Sequence, residues 1–279
     1  VNTGPYADLK FSREELKEIR YAGLLHDFGK VGVREQVLVK AKKLYPPDLV
    51  LIKQRFAFIK RSAEADFYCQ RMEYLEKKGK EGYDEFVEKL NREYDQRVKA
   101  LDHFIKLVME SNEPTVLHEG SFEELLKFAE VFYNDLDGGE QPYLNDNEVR
   151  YLTIRKGSLD ETERLEIESH VKHTYKFLQQ IPWTKELQNI PNIAYGHHEK
   201  LNGSGYPRKV DGSQIPVQSR MMTISDIFDA LTASDRPYKR AMPVERALDI
   251  LSDEVQGEML DSDLFTVFVE AEVFTRKDD

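Results

Sequence analysis

The apolar residues of this chain recur at steps of three and four rather than two, and that periodicity predicts helices almost throughout. In "FSREELKEIRYAGLLHDFGK", Ser12 with Glu15 three residues on has the form of a capping box. Leu16, Ile19, Ala22 (or Gly23) and Leu24 then follow at helical spacing, and His26 and Asp27 fall at the end of the segment, just before Gly29. "KVGVREQVLVK" predicts a turn and a short helix or extended piece, and "YPPDL" opens a further helix with prolines in its first turn. Two longer stretches come next. Phe56, Ile59, Ala63, Phe67 and Tyr74 mark one, Leu90, Tyr94, Leu101, Ile105 and Val108 the other, and the polar "KKGKEG" separates them. They predict an inserted helical hairpin over residues 50–110, with arms of about 25 residues spanning about 37 Å each.

Beyond the hairpin, "SFEELLKFAEVFYNDL" predicts a helix capped by Ser121, and "DGGEQPYLNDNE" a loop. "SLDETERLEIESHVKHTYKFLQQI" predicts a long helix with its cap at Ser158 or Asp160. "PWTKELQNIPNIAYGHHEK" predicts a short and then a longer helical piece, and "DGSQIP" a turn. "QSRMMTISDIFDALTA" is apolar at helical spacing and ends before "SDRPYK"; "PVERALDILSDE" and "LDSDLFTVFVEAEVF" close the chain. Strand signals are weak, so the expected fold class is all-α, a helical bundle.

Composition narrows the setting. A length of 279 residues allows one large domain or two modest ones with a real core. The single cysteine, Cys69, excludes an intrachain disulfide and fits a reducing compartment. No run of 18 apolar residues is present, and the first residues have no basic-then-apolar signal pattern. A cytoplasmic location is expected. The chain starts without methionine, so a longer protein is expected, with an upstream sensor domain. The net charge of −11, from 51 acids and 40 bases, argues against a nucleic-acid polymer as partner. It leaves room for a small anionic substrate, because metal ions and a few local bases reverse the field in one pocket.

The metal-ligand chemistry is spread along the chain in a particular order. His26 and Asp27 are adjacent, His170 lies within a helix, His197 and His198 are adjacent, and Asp226 and Asp229 share one face of a later helix. Imidazole and carboxylate suit iron, manganese, zinc and similar ions, and no cysteine cluster competes. A carboxylate has two oxygens and is able to bridge two ions held roughly 3.5 to 4 Å apart. Lys30, three residues past Asp27, is placed for a phosphate. Gly203, Gly205 and Tyr206 form a turn beside the paired histidines, and Arg236 and Lys239 follow the Asp226 helix as a phosphate clamp. Taken singly, each of these has a plainer reading: a packed or surface histidine, or an ordinary Gly-Tyr-Pro turn. His103, His118 and His173 keep that plainer reading.

The order of motifs resembles the HD-GYP domain, a bacterial subclass of the HD phosphohydrolase superfamily. The resemblance rests on "LLHDFGK" at 24–30, His170, "HHEKLNGSGYP" at 197–207, "IP" at 215–216, "SDIFDALTA" at 225–233 and "DRPYK" at 235–239. It covers the chain apart from most of residues 45–150. It implies an HD-domain helical bundle that hydrolyses cyclic di-GMP to the linear dinucleotide, with GMP as a further product. By the same resemblance Asp27 bridges two divalent metal ions, most often iron or manganese. His26 and Asp226 bind the first ion, and His170, His197 and His198 the second. Some members hold a third metal, and the family has a further histidine upstream, which is expected to precede this segment. Asp27 and Lys30 carry the catalysis. Lys30, Gly205, Tyr206, Arg236 and Lys239 bind substrate, with Asp229 hydrogen-bonding a ligand or a basic side chain. Another nucleotide as substrate, and a non-catalytic cyclic-dinucleotide-binding signalling module, stand as alternatives. The 50–110 hairpin is the expected surface for a homodimer.

Overall fold

A computed structural model describes residues 4–233 and 241–275. Local signals set most helix ends. The helix α1 (Arg13–Leu25) is closed at its start by the Ser12–Glu15 capping box. After a 3-10 turn at Phe28–Gly32 comes the short α2 (Glu35–Leu38). Two prolines open α3 (Pro46–Lys78), and Gly79 and Gly82, both at φ +66°, turn the chain into α4 (Tyr83–Ser111). Positive φ at both ends of this turn carries little steric cost for glycine.

Ring contacts fix α3 and α4 as antiparallel neighbours: Phe56 meets Phe104, Phe67 meets Tyr94 and Tyr74 meets Phe86. The pair runs from 46 to 111, a few residues wider than the pattern predicts. α5 (Glu119–Ala129) begins two residues before the expected cap at Ser121, with His118 at the cap position. The helix expected to run to Leu136 stops at Ala129 and a strand lies in the rest of its predicted span; the expected loop after it contains structure as well. β1 (Phe132–Asn134) pairs antiparallel with β2 (Glu140–Pro142) around an Asp135–Gly139 turn, and α6 (Asp146–Leu152) follows, capped by Asn145 and Glu148. Strands of three residues are too short for an alternating pattern to register. The remaining helices are α7 (Glu161–Gln179), α8 (Ile190–Tyr195), α9 (Val217–Thr232), α10 (Val244–Gln256) and α11 (Ser262–Glu270).

These elements form two compact units, residues 40–162 and residues 1–39 with 163–279. In the first, Ile52, Phe56 and Ile59 of α3 and Leu101, Phe104 and Val108 of α4 are buried with Leu125 and Leu152. The inner ends of the two long helices are therefore part of this core, and farther out Ala63, Phe67 and Leu90 are buried as well, with Phe67 against Tyr94. Arg55, on α3, makes a two-pronged ion pair with Glu148 at 2.7 and 3.0 Å and donates to Tyr143 O. The second unit has two apolar clusters. Ala22, Leu178, Ile190, Ile193 and Ala194 tie α1, α7 and α8 together. Ile224, Leu251, Leu260, Leu264 and Phe268 tie α9 to α10 and α11. The candidate ligands sit on the helices of this second unit.

Candidate metal centre

Each candidate ligand is delivered by a helix or a helix end. His26 caps the C-terminus of α1 and Asp27 begins the turn after it. His170 lies inside α7, His197 and His198 in the turn after α8, and Asp226 in α9. Three of the imidazoles are oriented by the same device. Nδ1 of His26 lies 2.7 Å from Gly23 O, that of His170 2.6 Å from Ile167 O, and that of His197 2.6 Å from Ala194 O. A carbonyl oxygen only accepts, so each Nδ1 carries the proton and each Nε2 lone pair is left to face the centre.

The Nε2 atoms converge on Asp27. His26 Nε2 is 3.5 Å from Asp27 Oδ2 and 3.4 Å from Asp226 Oδ1, while His170 Nε2 is 3.3 Å from Asp27 Oδ1. The rings of His197 and His198 are 4.0 Å apart, and that of His197 lies 4.8 Å from His26 and 5.7 Å from His170. Two ligand groups result, His170 with His197 and His198, and His26 with Asp27 and His197; within each, the donor atoms lie within 4.8 Å of one another. His197 reaches both groups.

Three atoms at this centre are buried without a hydrogen-bond partner: Asp27 Oδ1, His170 Nε2 and His197 Nε2. Lone pairs facing one another out of water are costly unless a cation lies between them. The donor set, imidazole nitrogen plus carboxylate oxygen, is that of a divalent metal centre. The electrostatics agree. Burial and the neighbouring imidazoles push His197 down to about 4 and His198 to about 2, so both are neutral and ready to ligate at neutral pH. Burial alone would raise Asp27 and Asp226. For Asp27, His170, Lys30 and His26 outweigh it and hold the carboxyl well below the usual range. For Asp226, His26, His198 and His197 do the same. Burial alone would lower His26, and its contacts with Asp226 and Asp27 raise it.

Lys30 Nζ donates to Asp27 Oδ2 at 2.5 Å, and the ring of Tyr206 lies 4.7 Å from His198. Burial, and then the charge of Glu168, keep the Tyr206 phenol protonated. Gly205 sits where a Cβ would come within 2.4 Å of Lys200 N and 2.5 Å of His198 O, so the Gly-Tyr-Pro turn packs backbone to backbone on the paired histidines. Asp229 is exposed one turn beyond Asp226 on α9. Arg236 and Lys239 lie outside the described residues.

Several supporting residues escape sequence reading. Thr174 is fully buried, accepts from Gly29 N at 2.9 Å and donates to His26 O at 2.8 Å, which clamps both ends of the His-Asp step. A Cβ on Gly29 would stand 2.0 Å from His170 O, so α7 approaches this turn only because position 29 is glycine. Glu199, 2% exposed, accepts from Arg208 N at 2.7 Å and Val210 N at 3.2 Å and pins the loop after Tyr206. Thr223 Oγ1 reaches His197 O at 2.7 Å. A threonine inside a helix carries no distinguishing spacing. The glutamate beside His198 is the one signal that was available.

An all-α unit built around a clustered histidine–aspartate centre for divalent metal is the arrangement of HD phosphohydrolases. Comparison with known proteins agrees: residues 147–264 match the HD domain family, and the chain carries an HD-family phosphohydrolase domain related to the HD-GYP type. It is 40% identical over 101 residues to 3'3'-cGAMP-specific phosphodiesterase 3 of Vibrio cholerae, covering 36% of this chain and 21% of that protein. It is 34% identical over 110 residues to the cyclic di-GMP phosphodiesterase response regulator RpfG of Xanthomonas campestris, covering 39% and 28%. A cyclic di-GMP phosphodiesterase of Thermotoga maritima is 35% identical over 86 residues, covering 31% and 23%. The matched segments thus span between 21% and 28% of these relatives' lengths. Among the described residues, no helix is long and apolar enough to cross a membrane.

Proposed function

We propose that this chain is a metal-dependent phosphodiesterase that opens cyclic di-GMP to the linear dinucleotide, with GMP as a further product. The observation that carries the reading is the set of unpartnered, inward-facing donor atoms around Asp27, within a domain whose relatives are named for cyclic-dinucleotide hydrolysis. In this reading His26 and Asp226 would hold one ion, His170, His197 and His198 would hold another, and Asp27 would be shared between them. Iron and manganese suit the nitrogen–oxygen donor set. Bound there, divalent ions supply Lewis-acid polarisation of the phosphodiester and acidify the attacking water.

The rest falls to the chain. The Lys30 ammonium, at the Asp27 edge of the centre, holds a non-bridging phosphate oxygen. Tyr206, kept protonated, donates a hydrogen bond or stacks on a base, and Gly205 lets the substrate approach the backbone. Arg236 and Lys239 clamp the second phosphate, and Asp229 accepts a hydrogen bond from the ligand or from one of these bases.

A second reading, 3',3'-cGAMP as the preferred substrate, is favoured by the 40% identity to a relative named for it. The test is the protein loaded separately with ferrous and manganous ions and incubated with cyclic di-GMP, 3',3'-cGAMP and a panel of linear nucleotides, with products separated by chromatography. Linear dinucleotide from cyclic di-GMP at the highest kcat/KM is the expected result. A preference for 3',3'-cGAMP moves the assignment to the second reading. Tight binding with no product from the metal-loaded protein would show a signalling module instead.

The long α3–α4 pair is, in the same proposal, an insertion in the HD domain that serves assembly as a homodimer. Its outer half displays Tyr68, Met72 and Leu75 at helical spacing on α3, exposed by 52%, 62% and 39%. Because the inner half is core, the test removes residues 69–92 alone, bridging them with a short Gly-Ser turn. A fall in solution mass with metal content retained supports the role; an unchanged mass removes it.

A further inference from the structure

Helix α9 carries Asp226 to the metal centre, and one turn earlier on the same face it carries Thr223. We infer that Thr223 is a positioning residue: its hydroxyl fixes the His197–His198 turn against α9 and so holds His197 in register with Asp226. This role rests on the metal-centre reading and adds to it what keeps the two ligand groups together.

The hydroxyl is placed for the task. Thr223 is 3% exposed, His197 is fully buried, and Thr223 Oγ1 donates to His197 O at 2.7 Å. The same hydroxyl lies 2.9 Å from Ser219 O, the back-bond that a threonine commonly makes inside a helix. A hydroxyl has one proton for these two acceptors. Ser219 O lies within α9, where the helix ladder supplies a backbone N–H. His197 lies past the end of α8, beyond its ladder. The carbonyls on either side of it are met by the main chain, Gly196 O by Glu199 N and His198 O by Tyr206 N, both at 3.1 Å. His197 O takes the hydroxyl of another helix instead. With both groups out of water, solvent does not replace that donor.

The contact fixes the ligand that both groups share. His197 belongs with His170 and His198 and also with His26 and Asp27. Asp226 meets the same centre at His26, 3.4 Å away. α9 therefore grips the centre twice, by a side chain at Asp226 and by a main-chain carbonyl at His197. A neighbouring contact does something different. Ser219, fully buried, donates to Ile193 O at 2.7 Å, and a Cβ on Gly196 would stand 2.8 Å from Ser219 Oγ. Its acceptor lies in the body of α8 rather than in the histidine turn, so Ser219→Ala is a matched control for loosened packing.

The test uses the full chain, stripped of metal with a chelator and titrated calorimetrically with manganous ion. Thr223→Val keeps the shape and removes the donor, and it should weaken the ion's affinity about tenfold to a hundredfold, the usual cost of losing a group that orients a ligand. Thr223→Ser should restore most of the affinity, and Ser219→Ala should lower the melting temperature while leaving affinity near that of the unmodified chain. If Thr223→Val does not fold, Thr223→Ala takes its place in the comparison with Thr223→Ser. A second readout needs no metal: in nuclear magnetic resonance of the metal-free chain, isotope-labelled at the histidine nitrogens, Thr223→Val should shift the ring signals of His197 and leave those of His26 and His170 in place. A loss of affinity below about tenfold, a serine variant no better than valine, or an equal loss in Ser219→Ala would overturn the role. Should the unmodified chain hold no manganous ion, the metal-centre reading falls, and the metal-free spectrum judges Thr223 alone: a shifted His197 signal supports it and an unmoved one overturns it.

Discussion

Replacing Thr174 with valine tests how the His-Asp step is held. Valine keeps the shape and removes the hydroxyl. In the folded protein that hydroxyl joins two backbone groups flanking Asp27: it accepts from Gly29 N at 2.9 Å and donates to His26 O at 2.8 Å, with Thr174 fully buried. Two hydrogen bonds disappear, at about 1 kcal/mol each, and the Gly29 N–H is left inside the protein with no acceptor, which costs about 1–3 kcal/mol by itself. The expected loss is about 3–5 kcal/mol, a large share of the 5–15 kcal/mol typical of a domain. The measurement is equilibrium urea unfolding of the metal-free protein, paired with hydrogen exchange at the Gly29 amide. Thr174→Val should lower the midpoint, speed exchange at Gly29 and reduce metal retained after dialysis, because His26 and Asp27 lose their common anchor. Thr174→Ser restores the oxygen and should recover most of all three. A loss below about 0.5 kcal/mol, or a serine variant no better than valine, would refute the reasoning.

Asp27→Ala should abolish hydrolysis and lower metal content by more than one ligand's worth; full metal loading with normal turnover would show that Asp27 does not bridge. Lys30→Ala, Arg236→Ala and Lys239→Ala should each weaken substrate affinity with metal content near normal, and unchanged kinetics in all three would remove the phosphate clamp. Arg55→Ala strands Glu148, 3% exposed, without its two-pronged partner, and should cost about 3–5 kcal/mol in urea unfolding. Burial alone would raise Asp261, but Tyr6, Leu264 N and Arg220 hold it below its ordinary 3.8. Its stabilisation is therefore fully present above the unfolded-state pKa and is lost as pH falls through the folded one. Asp261→Asn should lower the melting temperature at pH 7, and the gap from the unmodified protein should close at the acid end.

The helical part of this fold is legible because amphipathic stripes and caps are local: Ser12 with Glu15, the prolines before α3, and the glycines at 79 and 82 each act within a few residues. The strands at 132–134 and 140–142 are not, since three residues show no period, and the start of α5 slipped because Ser121 looks like a cap yet lies inside the helix. The six metal-ligand candidates were legible because their chemistry is specific and their order distinctive. What holds them was not. Thr174 and Gly29 are ordinary residue types whose importance comes from a contact across 145 positions of sequence. Which residues of α3 and α4 join the core shared with α5 and α6 was equally invisible, because it depends on what those two helices pack against.

The carbonyls of Gly23, Ile167 and Ala194 that hold the three imidazoles belong to the main chain. A side chain in that position would be open to replacement by any single-base change in the gene; a peptide oxygen three residues back is present whatever residue stands there. The tautomer on which ligation depends is thus written into helix geometry rather than into neighbouring identities. The side chains at positions 23 and 167 therefore do not set the tautomer, and at 194 it is core packing around the fully buried Ala194, not the hydrogen bond, that restricts the residue; a proline placed to break the turn would still disarm a histidine it never touches.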